Sequence, residues 1–372
     1  MKQLTVMIKP ASSLCDMRCS YCFYHDVAAS RQMASMGVMT WGIAAALIRN
    51  VYCVLEPGDS ITFAFQGGEP GLAGLGFYKF FTEEVKKCSQ PGVQTGYAIQ
   101  TNGLTIDDDW CSFFLENGFL IGLSLDGDAS LHNQNRVDAK GKGTYNRVMN
   151  AKKLLDKHGV PYNVLCVLTA ESARRARRIW DFILREKIEY IQFIPCLEAL
   201  DNMPDDATGA ALTGKRFYQF YSALFPLWKE EAERGNVVNI RLFEDLAGVY
   251  LAGRGITCGV SGRCSPQIVV EGDGSVYPCD FFVLDKYKVG DLSKSTLKDV
   301  FEAVVGSGFL SAVAEPPAIC ESCAYRQWCR GGCKRMARAV YGGGCGMKMF
   351  LDECLESLLA ATRIILERQR QP

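Results

Sequence analysis

The sequence predicts an α/β protein: a partial (β/α)6 TIM-like barrel, then a small cysteine-rich domain organised by metal, then a C-terminal helix. Three observations carry this. Between Leu4 and Leu197 short β-branched or aromatic runs alternate six times with longer helical patterns. After Leu197 that alternation stops at a loop-like stretch rich in Pro, Gly and Asp. From Cys258 to Cys345 eight cysteines lie among many glycines with little helical periodicity.

In order, the strand candidates are LTVMI, ITFAF (61 to 65), YAIQT (97 to 101), LIGLSL (120 to 125), NVLCVL (163 to 168) and YIQFI (190 to 194). Between them WGIAAALIRNVYCVL, DDWCSFFLENG, YNRVMNAKKLLDKHG and ARRIWDFILREK read as helices, several closed by a glycine. Serial βα units imply a parallel sheet, with chemistry at the C-terminal ends of the strands. The loops at those ends are distinctive: a cysteine triplet after the first strand, QGGEP (66 to 70) after the second, TNG (101 to 103) after the third and DGD (126 to 128) after the fourth. Beyond EALDNMPDDATGAALTG come two further helices, KRFYQFYSALFPLWKEEAERG and one around LFEDLAGVYLAG, and FLDECLESLLAATRIILERQRQ closes the chain as an amphipathic helix. The expected domains are residues 1–235 and 236–372.

The totals exclude several classes. With 41 basic and 41 acidic residues among 372, no global field attracts nucleic acid or an anionic membrane. ARRARRIW (173 to 180) reads as the solvated face of a helix. No apolar stretch reaches membrane-spanning length, and MKQLTVMIKP is broken by Lys9 and Pro10 before it resembles a signal segment, so a cytoplasmic location is expected. Seventeen cysteines, an odd count in a reducing compartment, point to metal or redox chemistry rather than a disulfide framework.

SSLCDMRCSYCFYH places Cys15, Cys19 and Cys22 on one short loop. A four-iron cluster held by three thiolates keeps one iron open for an exogenous ligand. A zinc site completed by His25 is the competing reading. The triplet, with Tyr21 just before its last Cys, resembles that of the radical S-adenosylmethionine enzymes. The resemblance implies that the cofactor's amine and carboxylate chelate the open iron and that reductive cleavage yields a 5′-deoxyadenosyl radical. QGGEP, with Glu69, suits close approach to the methionyl ammonium or is an ordinary glycine turn. Arg136 in HNQNR could clamp the cofactor carboxylate with Ser124, or form a surface ion pair.

The second region reads C-x9-G-x4-C from Cys264 to Cys279, then C-x2-C-x5-C-x3-C through Cys320, Cys323, Cys329 and Cys333, then Cys345. Zinc ribbons use similar pairs. The whole string resembles the SPASM domain, the cluster-binding extension of radical enzymes acting on peptides and proteins. With Cys258 added, the family's crossed arrangement gives one auxiliary cluster to Cys258, Cys264, Cys279 and Cys333, and a second to Cys320, Cys323, Cys329 and Cys345. Three 4Fe-4S clusters and S-adenosyl-L-methionine are thus the implied cofactors. Cys354 competes with Cys345 for the last place; Cys53, Cys88, Cys111, Cys166, Cys196 and Cys354 read as small core residues, and His132 and His158 as loop or solvent-facing groups.

Within that group the chain resembles the anaerobic sulfatase-maturating enzymes along nearly its whole length, through IKPASSLCDMRCSYCFYHD, FAFQGGEPGLAG, QTNG, GLSLDG, HNQNR, NVLCVLT and DGSVYPCDFFVLDKYKVGD. The resemblance implies oxidation of a cysteine or serine in a sulfatase to Cα-formylglycine. It further implies cofactor contacts at Tyr21, Gly68, Ser124, Arg136 and Leu197, a catalytic base at Asp280, and a low-potential electron donor such as flavodoxin or ferredoxin. KRMARAVYGGG, between Cys333 and Cys345, departs from the family by being shorter, richer in glycine and without an aromatic approach to the last Cys. Two rival readings stay open: a peptide-crosslinking radical maturase, and a non-catalytic iron–sulfur electron carrier.

Overall fold

The computed structural model describes residues 2–200, 209–253, 255, 257–312, 318–342 and 344–370. Its first half alternates as the hydrophobic pattern requires: β1 (Gln3–Ile8), α1 (Phe23–Ala29), α2 (Trp41–Tyr52), β2 (Ser60–Phe65), α3 (Leu75–Cys88), β3 (Gln94–Thr101), α4 (Asp108–Glu116) and β4 (Phe119–Ser124). There follow α5 (Ala129–Asn135), α6 (Tyr145–His158), β5 (Tyr162–Leu168), α7 (Ala176–Arg185), β6 (Tyr190–Pro195) and α8 (Gly214–Glu233). The remainder holds β7 (Asn239–Ile240), α9 (Arg241–Ala252), α10 (Cys258–Ser261), β8 (Ile268–Val270), β9 (Ser275–Tyr277), β10 (Gly290–Asp291), α11 (Leu297–Gly306), α12 (Arg326–Cys329) and α13 (Gly346–Arg370). All six expected strands are present. Part of the loop expected after Leu197, residues 201–208, lies outside the described residues.

The chain forms two compact units. The first combines Met1–Ser124, Arg136–Tyr162 and Pro266–Ala312; the second combines Leu125–Asn135, Asn163–Ser265 and Val313–Pro372. Beside the division of the sequence expected at residue 235, packing gives the chain an interleaved arrangement. Its cause is β8, which leaves the cysteine-rich region to pair in parallel with β1 (Val6 opposite Ile268, Ile8 opposite Val270). That region is also more regular than its sequence suggested, since β9 and β10 continue the sheet antiparallel and α11 is capped by a Thr296–Asp299 box.

In the first unit the strand order is β10-β9-β8-β1-β2-β3-β4, with β1 to β4 parallel. Alternate residues of β2, Ile61, Phe63 and Phe65, point into the core. There Phe65 meets Tyr78 and Phe81 edge-on at 5.0 and 5.1 Å. In the second unit β5, β6 and β7 run parallel. Its core is aromatic, with Phe193 on Phe220 at 4.8 Å and Phe243 between Trp228 and Phe350. The arginine-rich face around α7 is solvated, with Arg175 paired to Glu171, Arg177 to Asp181 and Arg178 to Asp128. Among the described residues no helix is long and apolar enough to cross a membrane.

Candidate active site

In the first unit the loops at the C-terminal ends of β1, β2 and β3 are bonded to one another. Gly68 N donates to the Ser12 carbonyl at 2.8 Å and Glu69 N to the Leu14 carbonyl at 2.7 Å, so QGGEP holds the cysteine loop by its backbone. Only glycine fits at 68: a Cβ there would lie 2.7 Å from the carbonyl carbons of Leu14 and Ser13. Glu69, buried, accepts from Thr101 Oγ1 (2.7 Å), Asn102 N (2.7 Å) and Gly71 N (2.9 Å), tying TNG to QGGEP. Burial outweighs these donors and pushes its carboxyl up to about 7. Asn102 Nδ2 in turn donates to Asp16 Oδ1 at 2.7 Å and reaches the Cys15 sulfur at 4.0 Å.

Cys15, Cys19 and Cys22 are all partly buried, and none is in a disulfide. Met17 N donates to the Cys15 sulfur at 3.4 Å, yet burial pushes that thiol up to about 12. Bound to a cation, that sulfur would lose its proton, and three thiols on one short loop, with Met17 N and Asn102 Nδ2 turned to the sulfur of Cys15, suit a thiolate-held cluster. His25, weighed as a zinc ligand, is 79% exposed and faces Asp26 at 4.0 Å. Among the described residues, no three His, Cys, Asp or Glu side chains converge tightly enough for a single metal ion.

Of the other expected cofactor contacts of this unit, Arg136 borders the same loop. The Arg136 guanidinium stands over the Tyr21 ring at 5.5 Å. Met17 bridges to Asp138, and Arg18 N donates to Val137 O at 2.7 Å, which brings the Arg136 segment against the cysteine loop. Ser124 Oγ accepts from Gln100 Nε2 at 3.0 Å. Leu197 belongs to the second unit; next to it, Glu198 is held by Arg335 through its carbonyl (2.5 Å) and by Arg338 through its carboxylate (2.8 Å).

Asp280 sits where β8 and β9 bring the chain back beside β1. Lys9 Nζ lies 2.8 Å from one carboxylate oxygen, and Tyr24 OH donates to the other at 2.7 Å. Lys9 is 1% exposed and its ammonium is 3.9 Å from the centre of the Tyr24 ring. Burial first, and then the Asp280 charge, push the Tyr24 phenol well above its ordinary value, so it stays a donor. Lys9 and Tyr24 were missed in the sequence: Lys9 marks the end of a strand and Tyr24 lies in an aromatic pair, and only the β8–β1 pairing joins them to residue 280.

The auxiliary thiols divide into groups. In the second unit Cys258 is raised to about 11 by burial, then by Cys333 and Cys264. Cys345 is raised to about 11 by burial, with Cys329, Cys320 and Cys323 as its sulfur neighbours. Cys354 is buried in α13 with Glu353 as its charged neighbour, and no cluster cysteine is among the causes that raise its thiol. Cys279 belongs to the first unit. Of the cysteines expected in the core, Cys111, Cys166, Cys196 and Cys354 are buried and Cys88 partly so. Cys53 is exposed instead, because it falls at the C-cap of α2. His132 is buried with Nδ1 accepting from Asp126 N at 3.3 Å, and His158 pairs with Asp108 at 2.6 Å.

Comparison with known proteins fits this geometry. A model of the radical SAM superfamily matches residues 10–183, and one of the SPASM iron–sulfur cluster-binding domain matches residues 258–324. The cysteine-type anaerobic sulfatase-maturating enzyme of Clostridium novyi (strain NT) is 38% identical over 352 residues, covering 95% of this chain and 93% of that protein. The chain belongs to the anaerobic sulfatase-maturating enzymes. A serine-type member from Klebsiella aerogenes is 31% identical over 88% of this chain and 79% of its own length. Among solved structures, native anSMEcpe with bound AdoMet and the Cp18Cys peptide superposes with a TM-score of 0.88 at 35% identity, covering 97% and 99% of the two chains. The expected fold class, a radical SAM α/β sheet with a SPASM domain, is that of this family, and the cofactors are S-adenosylmethionine with its 4Fe-4S cluster and auxiliary iron–sulfur clusters. The enzyme is a radical SAM oxidoreductase.

Proposed function

We propose that this enzyme oxidises a cysteine side chain of a sulfatase polypeptide to Cα-formylglycine, with Asp280 as the catalytic base. The observation that supports the base most directly is the Lys9–Asp280–Tyr24 arrangement beside the cysteine loop, with Lys9 buried and Asp280 partly so. The preference for cysteine over serine rests on higher identity to cysteine-type relatives, 38% against 31%. Peptide recognition rests on the peptide-bound relative. Cys15, Cys19 and Cys22 are assigned to the SAM-binding cluster, with Tyr21, Gly68, Ser124, Arg136 and Leu197 as cofactor contacts. Cys258, Cys264, Cys279 and Cys333 are assigned to one auxiliary cluster, and Cys320, Cys323, Cys329 and Cys345 to the other. The sulfurs of Cys333 and Cys264 around Cys258, and of Cys329, Cys320 and Cys323 around Cys345, support those members of the two sets and favour Cys345 over Cys354; Cys279 is assigned by family resemblance. A flavodoxin- or ferredoxin-like protein supplies the priming electron, and seventeen cysteines with no disulfide among the described residues favour the reducing cytoplasm.

When bound, these groups supply a 5′-deoxyadenosyl radical that removes a hydrogen atom from the substrate Cβ, and an acceptor for the electron left behind. The polypeptide handles the proton. A carboxylate has about four lone-pair sites; Tyr24 donates to Oδ2 of Asp280, while Lys9 faces Oδ1 as an ion pair and leaves it without a hydrogen bond, so lone pairs remain to accept the proton of the substrate thiol. Lys9 balances the charge, and Tyr24 fixes the orientation. Loss of two electrons and two protons leaves a thioaldehyde, which water converts to the aldehyde with release of hydrogen sulfide.

The test uses anaerobically reconstituted enzyme, reductant, S-adenosylmethionine and a peptide carrying Cys-x-Pro-x-Arg. A loss of about 18 mass units with formation of 5′-deoxyadenosine is expected; cofactor cleavage with an unchanged peptide sinks the substrate assignment. Asp280→Asn should lower peptide oxidation by roughly 100-fold or more while 5′-deoxyadenosine still forms. Equal loss of both products would assign Asp280 to cofactor or cluster binding instead.

A further inference from the structure

The turn joining Cys329 to Cys333 is wound left-handed at three consecutive residues, Arg330 (φ 44°), Gly331 (φ 86°) and Gly332 (φ 72°). Gly332 N closes it by donating to the Cys329 carbonyl at 2.6 Å. The Tyr341 ring lies directly on this turn: a Cβ at Gly332 would collide with its Cε2, Cζ and hydroxyl atoms. Tyr341 is 2% exposed, and its hydroxyl donates to the carbonyl of Gly259, the residue after Cys258, at 3.2 Å.

The sulfurs near this phenol are those of Cys329, Cys345, Cys333 and Cys320. Cys320, Cys329 and Cys345 belong to one assigned auxiliary set, while Cys333 belongs to the other. The hydroxyl contact runs toward Cys258, also of that other set. One ring thus touches the backbone that carries ligands of both centres. Tyr341 thus gives KRMARAVYGGG an aromatic four residues before Cys345, where the family resemblance implied none.

We propose that Tyr341 is a positioning residue shared by the two auxiliary centres, its ring packed on the turn that carries Cys329 and Cys333 and its hydroxyl bonded beside Cys258, and that it sets how strongly the two centres exchange an electron. The proposal rests on the cluster assignment above. A buried aromatic ring keeps water off the turn that carries a ligand of each centre, so the charge on one centre is felt more strongly at the other, and cluster potentials follow such local charge and hydrogen bonding. The hydroxyl fixes the Cys258 loop against the ring.

The experiment compares the full-length chain with Tyr341→Phe, Tyr341→Leu and Tyr341→Met, each reconstituted anaerobically. It reads iron per chain, an EPR-monitored redox titration and the magnetic interaction between auxiliary centres. The phenylalanine variant should keep full iron and shift the potential of the Cys258 centre alone. Removing the ring, in the leucine or methionine variant, should shift both auxiliary potentials and weaken their interaction, with the Cys15–Cys19–Cys22 cluster unmoved. Wild-type potentials and interaction in a fully loaded ring-less variant overturn the proposal. Loss of iron from both ring-less variants overturns it too, because the ring would then be a folding element alone. A wild-type chain that loads a single auxiliary cluster overturns the cluster assignment instead, and is recognised before any substitution is made.

Discussion

Glu69 shows how one buried carboxyl couples the site to pH. Its folded value of about 7 stands above the ordinary 4.5, so between those limits the folded chain holds a proton that the unfolded chain has lost. The associated stability is present below about pH 4.5 and falls as pH rises toward 7, by up to about 3 kcal/mol. Urea titrations of the cluster-free protein from pH 5 to 8 should show this decline in the wild type and a flatter profile in Glu69→Gln; equal slopes would mean that the three donors hold the carboxylate charged throughout. At this scale the sequence was uneven. Cys15, Cys19 and Cys22 are legible because their spacing is itself the chemistry, and Asp280 was reached only through family resemblance. Lys9 and Tyr24 were not legible, since a lysine ending a strand carries no signal until its distant carboxylate partner is known.

Among elements, the segment after α1 is fastened to the β8–β9 turn. Arg31 Nη1 meets Glu271 Oε1 at 2.6 Å with both side chains 2% exposed, and Gln32 N donates to Asp285 Oδ2 at 2.8 Å. The pair connects the cysteine-loop helix to the hairpin that precedes Cys279 and Asp280. Arg31→Met leaves a buried carboxylate uncompensated and should cost about 3–5 kcal/mol, measurable by urea unfolding. The Arg31→Met/Glu271→Gln double variant should recover part of that loss; no recovery would locate the cost in lost packing of the arginine stem. Strands β1 to β6 were legible because buried parallel strands read as compact apolar runs. β8, β9 and β10 were not, being two or three residues long amid cysteines and glycines that dominate the local pattern.

For the molecule as a whole, the first unit is assembled from three separated stretches of chain. A fragment ending at residue 235 lacks β8, leaves one side of β1 unpaired and omits Asp280. It should be recovered mainly as aggregate, whereas the complete chain stays in solution, as size-exclusion chromatography would show. A well-behaved monomeric fragment would mean that β8 contributes little to this unit. The pairing also has a consequence in time. About 260 residues separate Ile8 from Ile268; at roughly 5–20 residues per second, a ribosome needs some 13–50 seconds to make the second after the first. For that interval the newborn β1 presents an open edge, and protease sensitivity of stalled nascent chains should fall once Val270 has cleared the exit tunnel.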